Sequence, residues 1–477
     1  IIVWVVRQKQ NDSADYFLGG RDATWLAIGA SIFASNIGSE HLIGLAGAGA
    51  SSGMAMAHWE IQGWMILILG WVFVPFYSRS MVYTMPEFLE RRYNPQSRTI
   101  LSVISLVSYV LTKVAVTVYA GGLVFQQVFG IKELWGIDFF WIAAIGLVVL
   151  TALYTIFGGM KSVLYTSVLQ TPILLLGSLI ILVLGFKELG GWDEMMRVCG
   201  AVTVNDYGDT MTNLIRSNDD ANFPWLGALI GSAIIGFWYW CTDQFIVQRV
   251  LSGKNEKEAR RGTIFGAYLK LLPVFLFLIP GMIAFALHQK YIGAGGEGFL
   301  PMLANGTANA DAAFPTLVAK LLPAGVKGLV VCGILAALMS SLASLFNSSA
   351  MLFTIDFYKR FRPETPEKKL VGIGQIATVV IVILGILWIP IMRSVGDVLY
   401  TYLQDVQSVL APGIAAAFLL GICWKRTSAQ GGMWGLIAGM IIGLTRLGAK
   451  VYYSNAGEVA DSTFKYLFYD MNWLFFC

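Results

Sequence analysis

Charged residues are scarce in this sequence. Asp, Glu, Lys and Arg make up 13% of the 477 residues, while hydrophobic residues make up 56%; soluble domains carry about a quarter charged residues. Uncharged stretches of about 20 residues recur along the chain, the length that crosses the hydrocarbon core of a bilayer. The shortage of charge therefore excludes a soluble globular domain and predicts an all-α polytopic membrane protein.

Cysteine and histidine, two common metal ligands, are also scarce. The five cysteines are dispersed without a C-x-x-C pair, and the sequence has three histidines, so we expect neither a metal cluster nor a disulfide framework. Since no nucleophile–base pair stands out, we expect no enzyme and no cofactor. The net charge of +4 is small for this length, and the basic residues lie in loops, which argues against a nucleic-acid partner.

The sequence begins and ends within apolar runs, IIVWVV at 1–6 and WLFFC at 473–477. We expect a fragment of a longer chain, with at least one further helix at each end. Residues 1–477 would then form a single transmembrane domain.

Hydropathy predicts a series of complete membrane spans, of which the first ten are numbered one to ten in chain order. A partial span begins near Tyr466. The complete spans are 24–53, 58–78, 99–130, 137–158, 161–187, 223–250, 262–290, 326–358, 369–391, 395–423 and 428–448.

Lysine and arginine collect in alternate loops. On one side of the predicted membrane they lie in 79–98, 161, 249–261, 359–369 and 425–426. The positive-inside rule makes this side the cytoplasm, so the acidic loop 188–222 and the Gly/Ala-rich loop 291–325 face outward. The pattern predicts a multi-pass protein of the plasma (inner) membrane.

Spans one and six are interrupted by polar residues and glycine. The interruptions read ASNIGSEH at 34–41 and GSAIIGFWYWCTDQ at 231–244. The two spans are five apart and enter from opposite sides, and broken helices at matching positions of inverted halves point to a transporter binding site. Unwound backbone persists at membrane depth only where it lines a cavity. Gly231 alone fits close helix packing better, but the polar cluster in span one favours a site.

Charged side chains within predicted spans include Glu60, Lys113, Asp243 and Lys270. A charge at the bilayer centre costs at least about 2.5–3.5 kcal/mol, so such residues are usually functional. Glu60 and Lys270 have long apolar flanks, whereas Lys113 and Asp243 fit a structural pair as well as a functional role. A carboxylate and an ammonium facing one cavity suit a polyhydroxylated ligand, because both form charge-assisted hydrogen bonds to hydroxyl groups.

Aromatic residues run through 237–240, at the break in span six. A sugar stacks its C–H face on such rings, although many aromatics of membrane proteins form interfacial belts. A run at a helix break is less typical of a belt.

Adjacent serines in span eight suggest an ion site. Ser340 and Ser341, together with backbone carbonyls near Ala34 and Ile37, would form a neutral cage of oxygens suited to Na⁺. The alternative is that both hydroxyls bond back to carbonyls one turn earlier in their own helix.

Several motifs resemble the sodium:solute symporter family, specifically its sodium/glucose cotransporter branch, over nearly the whole chain. They are DYFLGGR at 15–21, SNIGSEH at 35–41, YTMPEFL at 83–89, WYWCTDQ at 238–244 and SSLASLFNS at 340–348. The resemblance implies the leucine-transporter-like fold, an inverted five-plus-five helix repeat with discontinuous first and sixth core helices. The halves would be 24–187 and 223–423, with additional C-terminal helices in 428–477.

The resemblance also implies a function. This function is sodium-coupled symport of a glucose- or galactose-like hexose by alternating access, with Na⁺ as the coupling ion. The protein would lie in a lipid bilayer. The sequence leaves the oligomeric state open. The family's sugar contacts match Asn36, His41, Glu60, Tyr239, Trp240, Lys270 and Gln404. The family's sodium ligands match Ala34, Ile37, Ala337, Ser340 and Ser341.

Three positions depart from the family pattern. Gly236 stands where the galactose transporters have Asn, and Gly63 where they have Ser, so Gln62 or Thr242 are candidates to replace those sugar contacts. Ser167 stands where the family usually has Asp in span five. Because members with a second ion bring that Asp together with hydroxyls in span eight, we expect one sodium per sugar.

Alternatives within and beyond this class stay open. The motifs Ser39-Glu40-His41 and Trp59-Glu60 are similar to the myo-inositol branch, which keeps a cyclic polyol as a possible substrate. An amino-acid or carboxylate symporter is disfavoured, since Glu60 would repel an anion. A channel or a sugar sensor of the same fold is the remaining rival.

Overall fold

The computed structural model describes residues 12–476 except for 39, 304–305, 396–398 and 456–461. The described side chains further leave out those of 111–112, 391–395, 399–405, 451, 454–455 and 473.

Helices make up almost all of the regular structure of the described residues, as the apolar runs predict. One short antiparallel hairpin, β1 (Glu133–Leu134) with β2 (Ile137–Asp138), connects two of them. The α-helices are α1 (Ser13–Leu18), α2 (Trp25–Asn36), α3 (Ala46–Ser52), α4 (Ala57–Ile61), α5 (Met65–Ile68), α6 (Val74–Ser80), α7 (Met85–Arg92), α8 (Pro95–Ser108), α9 (Ala115–Phe129), α10 (Phe139–Leu189), α11 (Trp192–Gly200), α12 (Trp225–Phe237), α13 (Gln244–Leu251), α14 (Glu256–Leu269), α15 (Ile279–Gly293), α16 (Ala313–Leu321), α17 (Ala324–Met351), α18 (Lys359–Phe361), α19 (Glu367–Val395), α20 (Leu399–Cys423), α21 (Ala429–Asn455), α22 (Thr463–Lys465) and α23 (Trp473–Phe476).

Wider π-helical and tighter 3₁₀ turns connect many of these helices. Insertions of this kind are frequent at functional sites, because they shift side chains out of the regular helical register. The π segments are Glu40–Leu45, Leu69–Phe73, Tyr109–Val114, Trp238–Thr242, Val274–Leu278, Leu352–Tyr358 and Tyr466–Asp470. The 3₁₀ segments are Gly19–Arg21, Gly53–Met56, Gln62–Trp64 and Ala310–Ala312.

Both predicted helix breaks are confirmed. Helix α2 ends at Asn36, and Ile37 is extended with φ −81° and ψ 90°. The amide of Gly38 bonds the carbonyl of Asn36 at 3.1 Å instead of the carbonyl of Ala34 one turn earlier. In span six, Asp243 is extended with ψ 128° and its side chain caps the start of α13. The backbone is therefore freed from the helical pattern at both places.

The spans differ from the prediction in how they are divided. Among the described residues, eight helices are long and apolar enough to cross a membrane, fewer than hydropathy predicts. The predicted 137–158 and 161–187 together make up Phe139–Leu189, and Gly159, with a non-helical φ of 54°, lies at the division predicted between them. A Cβ there would lie 2.5 Å from the carbonyl oxygen of Tyr16, so only glycine fits the turn.

The first two predicted spans also divide differently. Helix α2 is too short to count as a span, and the following Glu40–Ser80 reads as one long apolar element. The break inside 24–53 separates α2 from the rest of that predicted span, and Gly53, with φ 74° and ψ −146°, ends α3 at the division predicted between the two spans.

The two breaks lie at the centre of the helix packing. Helix α2 packs against α10, α14 and α17, and α13 packs against α2 and α17. The π segment Trp238–Thr242 packs against α20. Side chains at the breaks are therefore surrounded by protein instead of lipid, which allows polar groups at this depth.

Candidate functional site

A polar cavity lies between the two broken helices. It encloses about 40 Å³, room for a few water molecules. Six of the seven predicted sugar-binding residues line it, and the side chain of the seventh, Gln404, lies outside the described residues. The full lining is Asn36, Glu40, His41, Trp59, Glu60, Gln62, Ile235, Tyr239, Trp240, Lys270 and Gln407.

A buried charged cluster forms one side of the cavity. Lys270 Nζ lies 2.7 Å from Glu60 Oε2 and 2.7 Å from His41 Nε2, and His41 Nε2 lies 3.1 Å from Glu60 Oε1. Each of the three residues is 3% exposed. His41 Nε2 lies within hydrogen-bonding distance of both partners, and the tautomer of the ring decides whether it accepts from Lys270 or donates to Glu60. The cluster satisfies two opposite charges at membrane depth, where either alone would be costly.

Aromatic rings form another side of the cavity. Tyr239 and Trp240 are 7% and 3% exposed, so neither ring is part of a lipid-facing belt. Their centroids are 4.9 Å apart in an edge-to-face arrangement. The amide of Asn36 donates to the Tyr239 hydroxyl at 2.8 Å, and Lys270 Nζ lies 5.6 Å from the Trp240 ring centroid. The first break is thereby joined to the second.

Two glycines that depart from the family pattern have a steric role. A Cβ on Gly63 would lie 2.6 Å from Lys270 Cγ, and a Cβ on Gly236 would lie 2.4 Å from Gln62 Oε1. Gly236 therefore leaves the space that the Gln62 amide occupies in the cavity. Thr242, the other candidate replacement, donates to the carbonyl of Trp238 within its own segment at 2.8 Å. Of the two candidates, the structure places Gln62 at the cavity.

Substituting Gly63 by alanine should impair the cavity without unfolding the protein. The added methyl group would push the Lys270 stem away, so the ammonium could no longer reach both Glu60 and His41. We expect the apparent KM for the transported solute to rise about tenfold, as a small displacement of a positioned charge commonly produces.

The matched control is Gly146→Ala, where a Cβ would meet nothing within 4 Å. Solute titrations of uptake in vesicles would check both variants. Equal KM values for Gly63→Ala and the wild type would show that the position of Lys270 is unimportant.

The two predicted ion-site serines contact residues of other helices. Ser341 Oγ donates to the Ser35 carbonyl at 2.8 Å, and Ser340 Oγ lies 3.2 Å from Ser167 Oγ. Both hydroxyls thus reach across to other helices, so the alternative of bonding back within α17 does not describe them. The remaining predicted ligands Ala34, Ile37 and Ala337 are all buried.

A second intramembrane ion pair holds the break in span six. Lys113 Nζ lies 2.6 Å from Asp243 Oδ2, and Tyr109 donates to the same carboxylate. The amide of Phe245 also donates to Asp243 Oδ1 at 3.1 Å. Of the two roles that the sequence leaves open, the geometry favours a structural pair, although Lys113 Nζ lies only 4.5 Å from the Tyr239 ring centroid.

Glu40, Gln407, Trp59 and Ile235 line the cavity without having been predicted as ligands. Glu40 does carry a sequence signal, since it is a carboxylate in the middle of an apolar span. The other three carry no charge, so only the three-dimensional packing identifies them.

Two broken helices around a buried polar cavity define a leucine-transporter-like transporter fold. The structure resembles that of a Na⁺-coupled sialic acid symporter in a substrate-bound outward-open state, with a TM-score of 0.79, 23% identity, and coverage of 100% of this chain and 91% of that one. It also resembles MhsT in complex with L-phenylalanine, with a TM-score of 0.56, 12% identity, and coverage of 88% and 96%. The predicted fold class is confirmed.

Residues 16–439 match the sodium:solute symporter family. The chain is 38% identical to human sodium/myo-inositol cotransporter 2 over 455 residues, covering 93% of this chain and 66% of the relative. It is 39% identical to the dog sodium/myo-inositol cotransporter over 463 residues, covering 92% and 64%. The protein belongs to the sodium:solute symporter family, which confirms the resemblance, and it spans about two thirds of the length of these relatives.

Proposed function

We propose that the protein is a sodium-coupled symporter of a cyclic polyol of the myo-inositol class. The observation that carries this proposal is the buried Lys270–Glu60–His41 cluster on the wall of a cavity between two broken helices. The names of the similar curated proteins support a polyol over the glucose- or galactose-like hexose expected from the sequence. A hexose is the second candidate, since the same groups bind its hydroxyls.

The chemistry of the cavity suits a neutral ligand rich in hydroxyl groups. Asn36 Oδ1 and Gln62 Oε1 are buried acceptors with no hydrogen-bond partner within the part of the chain that the structure describes. Leaving a buried acceptor unsatisfied is costly, and hydroxyl donors of a ligand would satisfy both. Glu60 accepts and Lys270 donates, so hydroxyl groups can replace the bonds that these two residues make to each other.

An anionic ligand is disfavoured at the same place. Glu40 and Glu60 both line the cavity, and their charges would repel a carboxylate. Lys270, the cation nearest to the ligand space, is already paired with Glu60. This argues against the amino-acid or carboxylate symporter.

Sodium and polyol would be coupled through the first break. Ser341 bonds the carbonyl of Ser35, and the next residue, Asn36, lines the polyol cavity. A Na⁺ held by oxygens of Ala34, Ile37, Ala337, Ser340 and Ser341 would therefore fix the backbone that positions Asn36. Either ligand would favour the same arrangement of this segment, which is the requirement for coupling.

We also propose that the family's alternating access operates between the halves 24–187 and 223–423 in the plasma (inner) membrane. Residues 428–477 would lie outside this repeat. One Na⁺ moving down about 100 mV supplies about 2.3 kcal/mol, and a tenfold gradient adds about 1.4 kcal/mol. Together these sustain a polyol gradient of several hundred-fold.

The stoichiometry should be one Na⁺ per polyol. Ser167 supplies a hydroxyl in place of the family's usual carboxylate and donates to the Val163 carbonyl at 2.6 Å. Ala343 offers no hydroxyl, and Ser344 donates to the Ser340 carbonyl at 2.7 Å. A second Na⁺ there would lack a formal counter-charge, so we expect reversal potentials in vesicles to give 1:1 coupling.

A measured ratio of 2:1 would overturn this expectation. The variant Ser167→Asp with Ala343→Thr restores the groups of the family's second Na⁺ site and serves as the comparison. If the wild type lacks that site only because these ligands are missing, the number of Na⁺ ions moved per polyol should rise in the variant.

The proposed function is tested by uptake into proteoliposomes under an inward Na⁺ gradient or an equal K⁺ gradient. Initial rates would be measured for myo-inositol, scyllo-inositol, glucose, galactose, an amino acid and a dicarboxylate. We expect saturable, Na⁺-dependent uptake of the cyclitols with the highest kcat/KM. Uptake confined to the amino acid or the dicarboxylate would refute the polyol class.

A further inference from the structure

Glu40 occupies a junction between the two candidate sites. It is the first residue of the π segment Glu40–Leu45, directly beyond the break in span one. It lines the polyol cavity, and it also lines a neighbouring cavity of about 10 Å³ that Ser341 and Lys113 share. It is partly buried, and its carboxylate faces space that a ligand can enter.

Glu40 differs from the other intramembrane carboxylates in its bonding. Glu60 is paired with Lys270, and Asp243 with Lys113. The carboxylate of Glu40 makes no ion pair or hydrogen bond to any group that the structure describes. A carboxylate withdrawn from water needs donors or a counter-charge, so Glu40 has unused capacity to accept hydrogen bonds from a ligand.

The two ammonium groups that act on Glu40 each belong to an ion pair with another carboxylate. Lys113 and Lys270 act on the Glu40 carboxylate with positive charge, and Glu60 acts with negative charge. Because Lys270 is paired with Glu60 and Lys113 with Asp243, hydroxyl donors of a ligand can approach the Glu40 carboxylate without displacing an ion pair.

We propose that Glu40 accepts hydrogen bonds from adjacent hydroxyls of the ligand and thereby selects cyclic polyols against hexopyranoses. Every ring carbon of a cyclitol carries a hydroxyl donor, whereas a pyranose ring contains one oxygen without a proton. With a hexose in place, Glu40 would face that ring oxygen in some orientations and lose a donor. A site built to bond a hydroxyl group strongly rejects an analogue that lacks it.

Two neighbours strengthen the selection. Asn36 Oδ1 and Gln62 Oε1 line the same cavity as Glu40 and are buried acceptors. Three acceptors that surround one ligand can be satisfied together only by several hydroxyl donors at different ring positions. The inference rests on the proposed function, since it concerns the substrate of the same cavity.

The test is the variant Glu40→Gln, which keeps the shape of the side chain and replaces one acceptor with a donor. The new N–H can donate to the pyranose ring oxygen, so kcat/KM should rise for hexoses and fall for cyclitols. Expressed as the ratio of kcat/KM for myo-inositol to that for glucose, the selectivity should fall by about tenfold or more. The Na⁺ concentration for half-maximal uptake should stay within about twofold of the wild type, because a lost ion ligand costs more than this.

Glu194→Gln is the control, because Glu194 pairs with Arg197 in helix α11 and does not line the cavity. Should Glu40→Gln not reach the membrane, Glu40→Asp keeps the charge but withdraws the carboxylate by one methylene, and the same loss of selectivity is expected.

An unchanged selectivity ratio would overturn the inference while leaving symport intact, whether both substrates keep their kcat/KM or lose it equally. If the Na⁺ requirement also rises strongly while the ratio is unchanged, Glu40 is an ion ligand instead. Absence of Na⁺-dependent cyclitol uptake in the wild type would instead refute the proposed function, and the inference with it.

Discussion

Replacing either Glu60 or Lys270 by alanine is expected to lower kcat/KM for the polyol by about 100-fold or more, while the protein still inserts. The two side chains are 2.7 Å apart and each is 3% exposed. Truncating one partner of a buried charge pair typically costs about 2–5 kcal/mol, largely because the other charge is left unpaired. Both a ligand contact and the electrostatic balance of the cavity are lost together, mainly as a rise in KM.

Solute titrations of Na⁺-driven uptake would measure the loss, with membrane insertion checked by size-exclusion chromatography of the purified variants. A double-mutant cycle through Glu60→Gln and Lys270→Met separates the pair from its members, since the double variant should be less impaired than the two losses combined. The exposed Glu194–Arg197 pair, also 2.7 Å apart, is the matched control and should tolerate the same changes. Wild-type uptake in both single variants would show that this pair does not contribute to polyol binding.

Removing the hydroxyls of Ser340 and Ser341 together should abolish most Na⁺-driven uptake. Alanine hardly changes the helix propensity at these positions, but it removes two oxygens next to the first break. We expect the Na⁺ concentration for half-maximal uptake to rise by about tenfold or more, since weak ion ligands contribute about 1.4 kcal/mol or more in sum. Exchange of polyol in the absence of Na⁺ should be less affected.

Ser344→Ala is the control within the same helix. Its hydroxyl donates to the Ser340 carbonyl in α17, so its removal should change the Na⁺ dependence little. If the double variant keeps the Na⁺ dependence of the wild type, the coupling ion binds elsewhere.

The features predicted best from the sequence are residues whose presence in an apolar span is unfavourable in free energy. Charged residues such as Glu60 and Lys270 stand out in apolar spans because burial of a lone charge is so unfavourable. Polar residues and glycine within spans one and six likewise mark positions where a regular helix is disfavoured. Both signals are local, so no knowledge of the packing is needed to read them.

The features that the sequence does not reveal depend on contacts between distant segments. Ser341 bonds the Ser35 carbonyl across 306 positions of the chain, and nothing local decides between that partner and its own helix. The fit of Gln62 against Gly236 is equally non-local. The division that hydropathy predicts between 137–158 and 161–187 does coincide with the turn at Gly159, but the contact with Tyr16 that requires glycine there is again non-local.

The central claim is that polyol movement is driven by Na⁺. The most direct measurement is the steady-state accumulation of radiolabelled myo-inositol in proteoliposomes, with an inward Na⁺ gradient and an inside-negative potential set by K⁺ and valinomycin. The account predicts an internal concentration far above the external one, which collapses when a Na⁺ ionophore is added. An internal concentration that only equals the external one, with or without Na⁺, would contradict symport and favour a channel or a facilitator of the same fold.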